Sequence, residues 1–338
     1  MNYRLKSNRV EGFMRWYAWS LKYKDCDPAV WATNYLNKRF EHNDEQRLWF
    51  CWLYGNTYHL PTAWILMNEF PDFELVTVDR LTEWNTKNYK RLRYQTDTKW
   101  NKGHLPAMFE SYKKFIGNGT QREKLESFYG KNDKESFTNV WNNVKENLHK
   151  FGRYSTWFYL QHLASTSDIN ISPTDLMLHD YSGSRSHRNG LCLAIGQDDL
   201  VDQKLSFDMC ENLSGYGDYI SFMMTEIYPE LKGDINYFTM ETSLCAFKKL
   251  FRKSRGRYLG YYLDRQAEEI IQCEKDGWDG IDWSVLWDAR RETIDPRLDN
   301  KLGVDKKRFS SFLNTGKIDR LEWMFDDEIV SKGLEDFT

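Results

Sequence analysis

The stretch LHKFGRYSTWFYLQHL at residues 148–163, followed by SPTDLMLHD at residues 172–180, is the part of the chain from which we predict the fold. Its first half has the pattern of a helix, a tight turn and a second helix, and Gly152 supplies the positive φ that such a turn needs. Basic and hydroxyl side chains surround the start of the second helix: Lys150, Arg153, Ser155 and Thr156. Because a helix N-terminus favours anions, this pattern predicts a site for DNA phosphates. An ordinary helical hairpin with a glycine cap explains it equally well.

The same stretch resembles the helix-hairpin-helix of base-excision DNA glycosylases, in which a glycine turn and a Trp-Thr-Ala helix precede a functional Asp. FGRYSTW at residues 151–157 fills the hairpin, and Asp180 holds the position most like that Asp. The turn has one glycine where many glycosylases have two, and the link to the Asp is longer. Asp180 follows an apolar triplet and His179 and opens a polar loop, and from this position we predict that it is the principal catalytic carboxylate and that Asp175 is nearer to a structural role, as the N-terminal partner of a short helix.

The composition is that of a globular protein. The chain has 338 residues, of which 41% are hydrophobic and 16% aromatic, which is enough for one large domain or two packed lobes. It contains no apolar run long enough to span a membrane, and its first residues lack a signal-peptide core, so we expect a cytoplasmic protein. The six cysteines are scattered without a Cys-x-x-Cys pair, which favours reduced thiols. We predict neither a metal nor a cofactor.

The charge is unevenly distributed although the net charge is only −3. Residues 85–124 carry ten Lys and Arg against three Asp and Glu, and residues 246–265 carry seven against one. Acidic residues gather instead at 195–218 and 319–338. The chain therefore keeps basic surface for a polyanion.

Helix signals run through the whole chain. Asp27-Pro28 and Asn43 mark two helix starts, and Phe137, Val140 and Trp141 begin an apolar face at helical spacing. Sequence repeats and Pro-rich linkers are absent. We therefore predict an all-α, helix-hairpin-helix glycosylase-like fold in one unit of two packed lobes, 1–132 and a hairpin-containing lobe 133–338.

Polar residues interrupt the apolar segment around Gly55 and form a candidate base pocket. They are Asn56, Tyr58 and His59. A buried polar group needs partners, and an extruded base offers a polar edge and a stacking face. Core packing with a helix break at Gly55 is the alternative interpretation.

Cations alternate with aromatic residues between Tyr89 and His104. We predict that Arg91 and Arg93 bind DNA and that Lys99 and Lys102 bind pyrophosphate, because this alternation suits phosphates with exposed bases. A solvated basic helix followed by a loop is the alternative.

The polar sequence YSGSRSHRNG at residues 181–190 predicts an anion-binding loop. Arg185, His187 and Arg188 lie within four residues of one another between Gly183 and Gly190, so a loop can turn them toward one centre. We assign Arg185 and Arg188 to pyrophosphate and treat His187 as a catalytic candidate beside Asp180 and Asp175. A plain exposed turn is the alternative.

The chain is similar to the phage amino acid:DNA transferases, also described as α-glutamyl/putrescinyl thymine pyrophosphorylases. The similarity is carried by the hairpin, by the Trp- and Tyr-rich first helices, by RLRYQTDTKWNKGHLP at residues 91–106 and by LMLHDYSGSRSHRNG at residues 176–190. The resemblance covers nearly the whole chain. It implies that an amino acid or polyamine displaces pyrophosphate from 5-(pyrophosphoryloxymethyl)uracil in double-stranded DNA, in the host cytoplasm. Such chemistry needs a base pocket, cations for pyrophosphate and a carboxylate.

Two other functions remain open from the sequence. A DNA glycosylase that excises a modified base keeps the fold but has little need for the cations of residues 185–188. A non-catalytic DNA-binding module explains the basic faces but not an acidic residue just after the hairpin.

Overall fold

The computed structural model describes Tyr3 and residues 5–95, 98–251 and 262–294. Within these ranges the chain forms fourteen α-helices and no β-strand, which confirms the predicted all-α class. The helices are α1 Arg9–Lys22, α2 Pro28–Arg39, α3 Asp44–Thr57, α4 Leu60–Glu69, α5 Val78–Asn88, α6 Leu105–Ile116, α7 Gln121–Glu126, α8 Asp133–Asn147, α9 Arg153–Thr166, α10 Ser186–Ala194, α11 Phe207–Ile227, α12 Tyr237–Phe247, α13 Tyr262–Lys275 and α14 Ser284–Thr293.

Local capping explains where the first helices begin. Asp27 accepts a hydrogen bond from the backbone N–H of Ala29 (3.2 Å), and Pro28 occupies the first position of α2, where its missing N–H costs nothing. Asn43 and Gln46 form a reciprocal capping box at the start of α3. Both starts agree with the sequence prediction.

The helices enclose two hydrophobic cores. The first core lies among α2 to α9, α13 and α14, and Trp49 stacks on Trp52 within it at 5.0 Å between ring centroids. The second core lies among α1, α10, α11 and α12. The predicted lobe boundary at residue 132 does not coincide with this division, because α1 packs with the second core while α8 and α9 pack in the first.

At Gly55, α3 packs tightly against Tyr159 of α9. Helix α3 runs through Gly55 to Thr57, so the expected helix break at this residue is wrong. A Cβ at residue 55 would lie 2.6 Å from the Cβ of Tyr159, which is closer than two carbon atoms can pack. The glycine therefore serves helix packing rather than helix termination.

All six cysteines are buried free thiols. Burial raises the pKa of Cys51 and of Cys192 to about 11, which disfavours the reactive thiolate. In the described part of the chain, no helix has the length and apolarity to cross a membrane.

Candidate functional site

Helix α8 ends at Asn147 and α9 begins at Arg153, so residues 148–152 form the turn of this hairpin. The left-handed position in the turn is Lys150 (φ 63°), whereas Gly152 has an ordinary φ of −76° and caps α9. The prediction that Gly152 supplies a positive φ is therefore wrong. A glycine fits there for a different reason, since a Cβ would lie 2.7 Å from the carbonyl oxygen of Ser182.

A pocket of about 490 Å³ opens beside this turn, and we call it the hairpin pocket. It is lined by Asn101, Lys145, Leu148, Lys150, Phe151, Gly152, Tyr154, Ser155, Ser182, Gly183 and Ser184. Lys145 and Lys150 bring positive charge, and the first turn of α9 brings the positive end of a helix dipole. The pocket thus has the features of an anion site.

Asp180 is in contact with two residues that line the hairpin pocket, Lys145 and Ser182. Its carboxylate forms an ion pair with Lys145 and accepts hydrogen bonds from the backbone N–H (2.8 Å) and the hydroxyl (2.7 Å) of Ser182. Burial alone would raise the pKa of Asp180, but the hydrogen bonds from Lys145 and Ser182 outweigh it and hold the pKa below its ordinary value. Asp180 is therefore an anion at neutral pH and poorly suited to accept a proton.

Asp175 holds the backbone of residues 175–177 through a local hydrogen bond. Its carboxylate accepts a hydrogen bond from the backbone N–H of Met177, a residue in the left-handed region (φ 50°). The segment around it forms bends and a turn instead of the expected short helix.

Two residues predicted to contact DNA are turned inward. Arg153 is fully buried, where Nη1 lies 3.1 Å from Oε1 of Glu241 and Nη2 donates to the carbonyl of Leu176 (3.1 Å). Thr156 is also fully buried. Neither side chain reaches the surface of this structure, so we remove both from the DNA-binding set, while Lys150, Gly152 and Ser155 line the hairpin pocket.

Residues 185–188 do not form the expected anion loop, because α10 begins at Ser186. His187 and Arg188 are buried, and Arg188 stacks on Tyr181 and donates to the carbonyl of Leu178. Burial, followed by the charges of Arg153 and Arg188, holds the pKa of His187 well below its ordinary value, so its imidazole is neutral. Arg185 is exposed and donates to the carbonyl of Asp202 (2.9 Å). The prediction that three cations converge on pyrophosphate here is therefore wrong.

A second, larger pocket of about 670 Å³ collects many of the other predicted cations, and we call it the basic cleft. It is lined by His59, Lys90, Arg91, Leu92, Arg93, Tyr94, Gln95, Lys99, Lys102, Arg265, Glu268, Glu269, Gln272 and Asp276. Arg93 pairs with Asp276 (Nη2 to Oδ1, 2.9 Å), and Arg91 stacks on Trp278. Lys99 is exposed, and Lys102 donates to the carbonyl of Leu92 (3.1 Å).

Helix α13 places carboxylates on the opposite side of the basic cleft. Glu269 accepts a hydrogen bond from Gln95, and its Oε1 lies 3.1 Å from Nε of Arg265. Burial raises the pKa of Glu269 to about 7, even though Arg265 and Gln95 act in the other direction. This raised pKa makes Glu269 a candidate for proton transfer near neutral pH.

The predicted base-pocket residues are buried in different surroundings. Tyr58 stacks on Phe158 at 3.7 Å between ring centroids, and Asn56 donates to the sulfur of Met108 (3.4 Å). His59 lines the basic cleft and caps α4 through Thr62, and burial lowers its pKa to about 3. The structure therefore does not bring these three side chains together around one open pocket.

One short segment separates the two pockets. Thr98 donates to the carbonyl of Thr57 (2.7 Å), and Asn101 donates to the carbonyl of Asn56 (3.1 Å) and to the hydroxyl of Ser155 (3.4 Å). Asn101 lines the hairpin pocket, whereas Lys99 and Lys102 line the basic cleft. Ligands in the two pockets would therefore lie on opposite sides of residues 98–102.

Four residues of these sites were missed from the sequence: Lys145, Glu241, Arg265 and Glu269. Glu241 had a usable signal, since a carboxylate inside the apolar run YFTMETSLCAF needs a buried partner. Lys145, Arg265 and Glu269 sit in ordinary amphipathic helices and gave no local signal. In the described ranges no group of three or more His, Cys, Asp or Glu could hold a metal ion.

An all-α protein with two neighbouring cationic pockets, each with a carboxylate beside it, has the features of an enzyme that acts on a phosphate-bearing polymer. The family model "Amino acid:DNA transferase" matches residues 22–256. The chain therefore belongs to the amino acid:DNA transferase family, which confirms the resemblance seen in the sequence.

A serinyltransferase of Salmonella phage ViI is 26% identical to this chain over 298 residues, which cover 80% of this chain and 71% of the relative. No solved structure matches the chain.

Proposed function

We propose that the protein displaces pyrophosphate from 5-(pyrophosphoryloxymethyl)uracil in double-stranded DNA with the amine of an amino acid. The observation that supports this proposal is the pair of pockets lined by cationic side chains, with residues 98–102 contributing to both linings. A DNA substrate with a pyrophosphate group presents two kinds of phosphate, the strand backbone and the leaving group. Two separate cationic pockets match that requirement.

The hairpin pocket suits the backbone of one DNA strand. Lys150 is exposed and lines the pocket beside Tyr154 and Ser155 of the first turn of α9, so a phosphate oxygen can approach this cation near the positive end of the helix dipole. Such contacts hold the duplex in register without reading its sequence.

The basic cleft suits the leaving group and the amine. The C–O bond breaks with its electron pair on pyrophosphate, whose growing negative charge Lys99 and Lys102 stabilise. The amine nitrogen then forms a bond to the methylene carbon and loses one proton, which the Glu269 carboxylate is suited to accept.

We assign Asp180 a role through its negative charge rather than through proton transfer. Asp180 lies beside the hairpin pocket, across residues 98–102 from the cleft that takes the leaving group, so its charge acts on the DNA-backbone side: it holds Lys145 and Ser182 in place there. The Lys145 and Ser182 contacts keep Asp180 ionised and fixed in position.

The preference for a transferase over a glycosylase now depends on the family match, because residues 185–188 do not form the cationic loop that would have distinguished the two. The donor proposed first is serine, since the phage ViI relative is a serinyltransferase. Polyamines form a second arm of the test.

The test is mass spectrometry of nucleosides from pyrophosphorylated DNA after incubation with the protein and single donors. We expect one thymidine analogue that carries the donor nitrogen on its 5-methylene carbon, and one equivalent of released pyrophosphate. Release of a free base would identify a glycosylase, and unchanged DNA with every donor would contradict the proposal.

A further inference from the structure

Trp100 stands out from the surface between the two pockets. Its side chain is 72% exposed, although its neighbours Thr98 and Asn101 are buried and hydrogen-bonded to the end of α3. Backbone hydrogen bonds from Asn101 to Thr98 (2.8 Å) and from His104 to Asn101 (2.8 Å) close the turn. The turn that carries the indole is therefore anchored on both sides of it.

A single exposed hydrophobic side chain is ordinary on a protein surface, so exposure alone decides nothing. Three other large hydrophobic side chains in the described residues are more than 60% exposed, and Trp100 differs from them in the charge of its neighbours. Leu75 (71%) lies beside Asp72 and Glu74. Phe207 (64%) and Phe222 (61%) belong to α11, whose sequence contains four carboxylates and no Lys or Arg.

The surroundings of Trp100 are basic instead. Residues 98–104 include Lys99, Lys102 and His104 and no Asp or Glu. Nζ of Lys99 lies 4.7 Å from the indole ring centroid, and His104 lies close to His149, next to the hairpin turn. An aromatic ring among cations is the combination that binds a stacked base with its phosphates.

We propose that Trp100 inserts into the DNA base stack and fills the gap that the target nucleotide leaves when it turns toward the basic cleft. The inference rests on the proposed DNA substrate but concerns a step that precedes the chemistry. Opening a base pair costs stacking and pairing free energy, and a rigidly held indole replaces one stacking partner. The segment between the two pockets is the place where one strand would be held and its base redirected.

The kinetic test compares Trp100→Ala with wild type on duplex and single-stranded pyrophosphorylated DNA. We expect Trp100→Ala to lower kcat/KM on duplex DNA on the order of 10-fold to 100-fold, the range for one lost stacking contact. On single-stranded DNA the two proteins should differ by about 2-fold or less, because no base pair must be opened. Trp100→Phe should restore part of the duplex activity. An equal loss on both substrates, or no loss, would overturn the proposal.

The matched control is Leu75→Ala, which removes an equally exposed side chain beside acidic residues. It should behave as wild type on both substrates. Equal melting temperatures for the variants would show that the fold is retained. If Trp100→Ala instead changed the oligomeric state without DNA and left duplex activity intact, the indole would be a protein contact, contrary to the proposal.

A second readout needs no turnover. With 2-aminopurine opposite the modified uracil and no donor present, wild type should raise the fluorescence of the duplex and Trp100→Ala should not. A fluorescence rise with wild type, combined with no product from any donor in the mass-spectrometry test, would contradict the proposed transfer reaction alone. Product formation with equal fluorescence in both proteins would contradict the role of Trp100 alone.

Discussion

Two carboxylates near the pockets have pKa values shifted in opposite directions, and this divides their roles. Asp180 has its pKa lowered because the hydrogen bonds of Lys145 and Ser182 outweigh burial, so it carries a constant charge. Glu269 has its pKa raised by burial to about 7, so its charge varies near neutrality. The first suits electrostatic stabilisation and the second suits proton transfer.

Replacing Asp180 by Asn should raise KM for modified DNA by about 10-fold or more, because the charge that holds Lys145 in the hairpin pocket is lost while the shape is kept. Asp175→Asn is the matched control, since an amide oxygen can still accept the hydrogen bond from the backbone N–H of Met177. Steady-state rates on modified DNA measure both. Full activity of Asp180→Asn combined with loss in Asp175→Asn would reverse the assignment.

The pH dependence should identify Glu269. If its ionised form accepts the amine proton, kcat at saturating donor rises with pH through about 7, because the pKa is raised and the carboxylate forms only above it. In Glu269→Gln this step should disappear and the remaining rate should vary smoothly with pH. A persisting inflection near 7 in the variant would assign the titration to another group.

At the scale of elements, the start of α9 packs closely against Ser182 because residue 152 is a glycine without a side chain. Gly152→Ala should lower the free energy of unfolding by about 1–3 kcal/mol, because the new methyl group would clash with the carbonyl oxygen of Ser182. The backbone adds no strain, since the φ of −76° at residue 152 is ordinary for alanine. Urea denaturation measures this effect. Gly233→Ala is the control, because a Cβ at residue 233 has no neighbour within 4 Å, and its unfolding free energy should stay nearly constant.

The hairpin turn should contribute to DNA affinity without sequence preference. Lys150→Ala is expected to weaken binding similarly on all duplexes and to reduce the slope of log K against log salt concentration by about one. Fluorescence anisotropy across a salt series measures the slope. Lys232→Ala, an exposed lysine in another part of the structure, should leave it unchanged. A sequence-selective loss in Lys150→Ala would indicate contacts to bases.

At the scale of the whole molecule, the buried pair of Arg153 and Glu241 connects the two cores, because α9 packs in the first and α12 mainly in the second. Arg153→Met should lower the free energy of unfolding by about 3–5 kcal/mol, since it removes the guanidinium that pairs with the buried carboxylate of Glu241. Adding Glu241→Gln to that variant should recover part of the loss. If denaturation showed no recovery, packing rather than charge would explain the effect.

Sequence predicts those parts of this molecule that depend on neighbouring residues. The starts of α2 and α3 follow from Asp27-Pro28 and Asn43, whose caps act within three positions. The grouping of helices does not follow, because α14 packs on α2 and α1 packs on α12 across most of the chain. Tertiary packing of this kind has no local signature.

The same limit applies to the site. Lys150 and Ser155 could be placed beside the hairpin from their position in the turn. His187 and Arg188 could not, since the start of α10 at Ser186 turns both toward the interior. A cluster of charged residues in sequence is a cluster in space only when the local backbone permits it.

The buried cysteines make the protein convenient for attaching probes. All six native thiols lie inside the cores, so a maleimide dye or a photocrosslinker would react with them slowly. A cysteine introduced at exposed Lys232 would then be the fast-reacting position on an otherwise unmodified chain. Single-molecule measurements of docking onto a labelled duplex could begin without first removing any native cysteine.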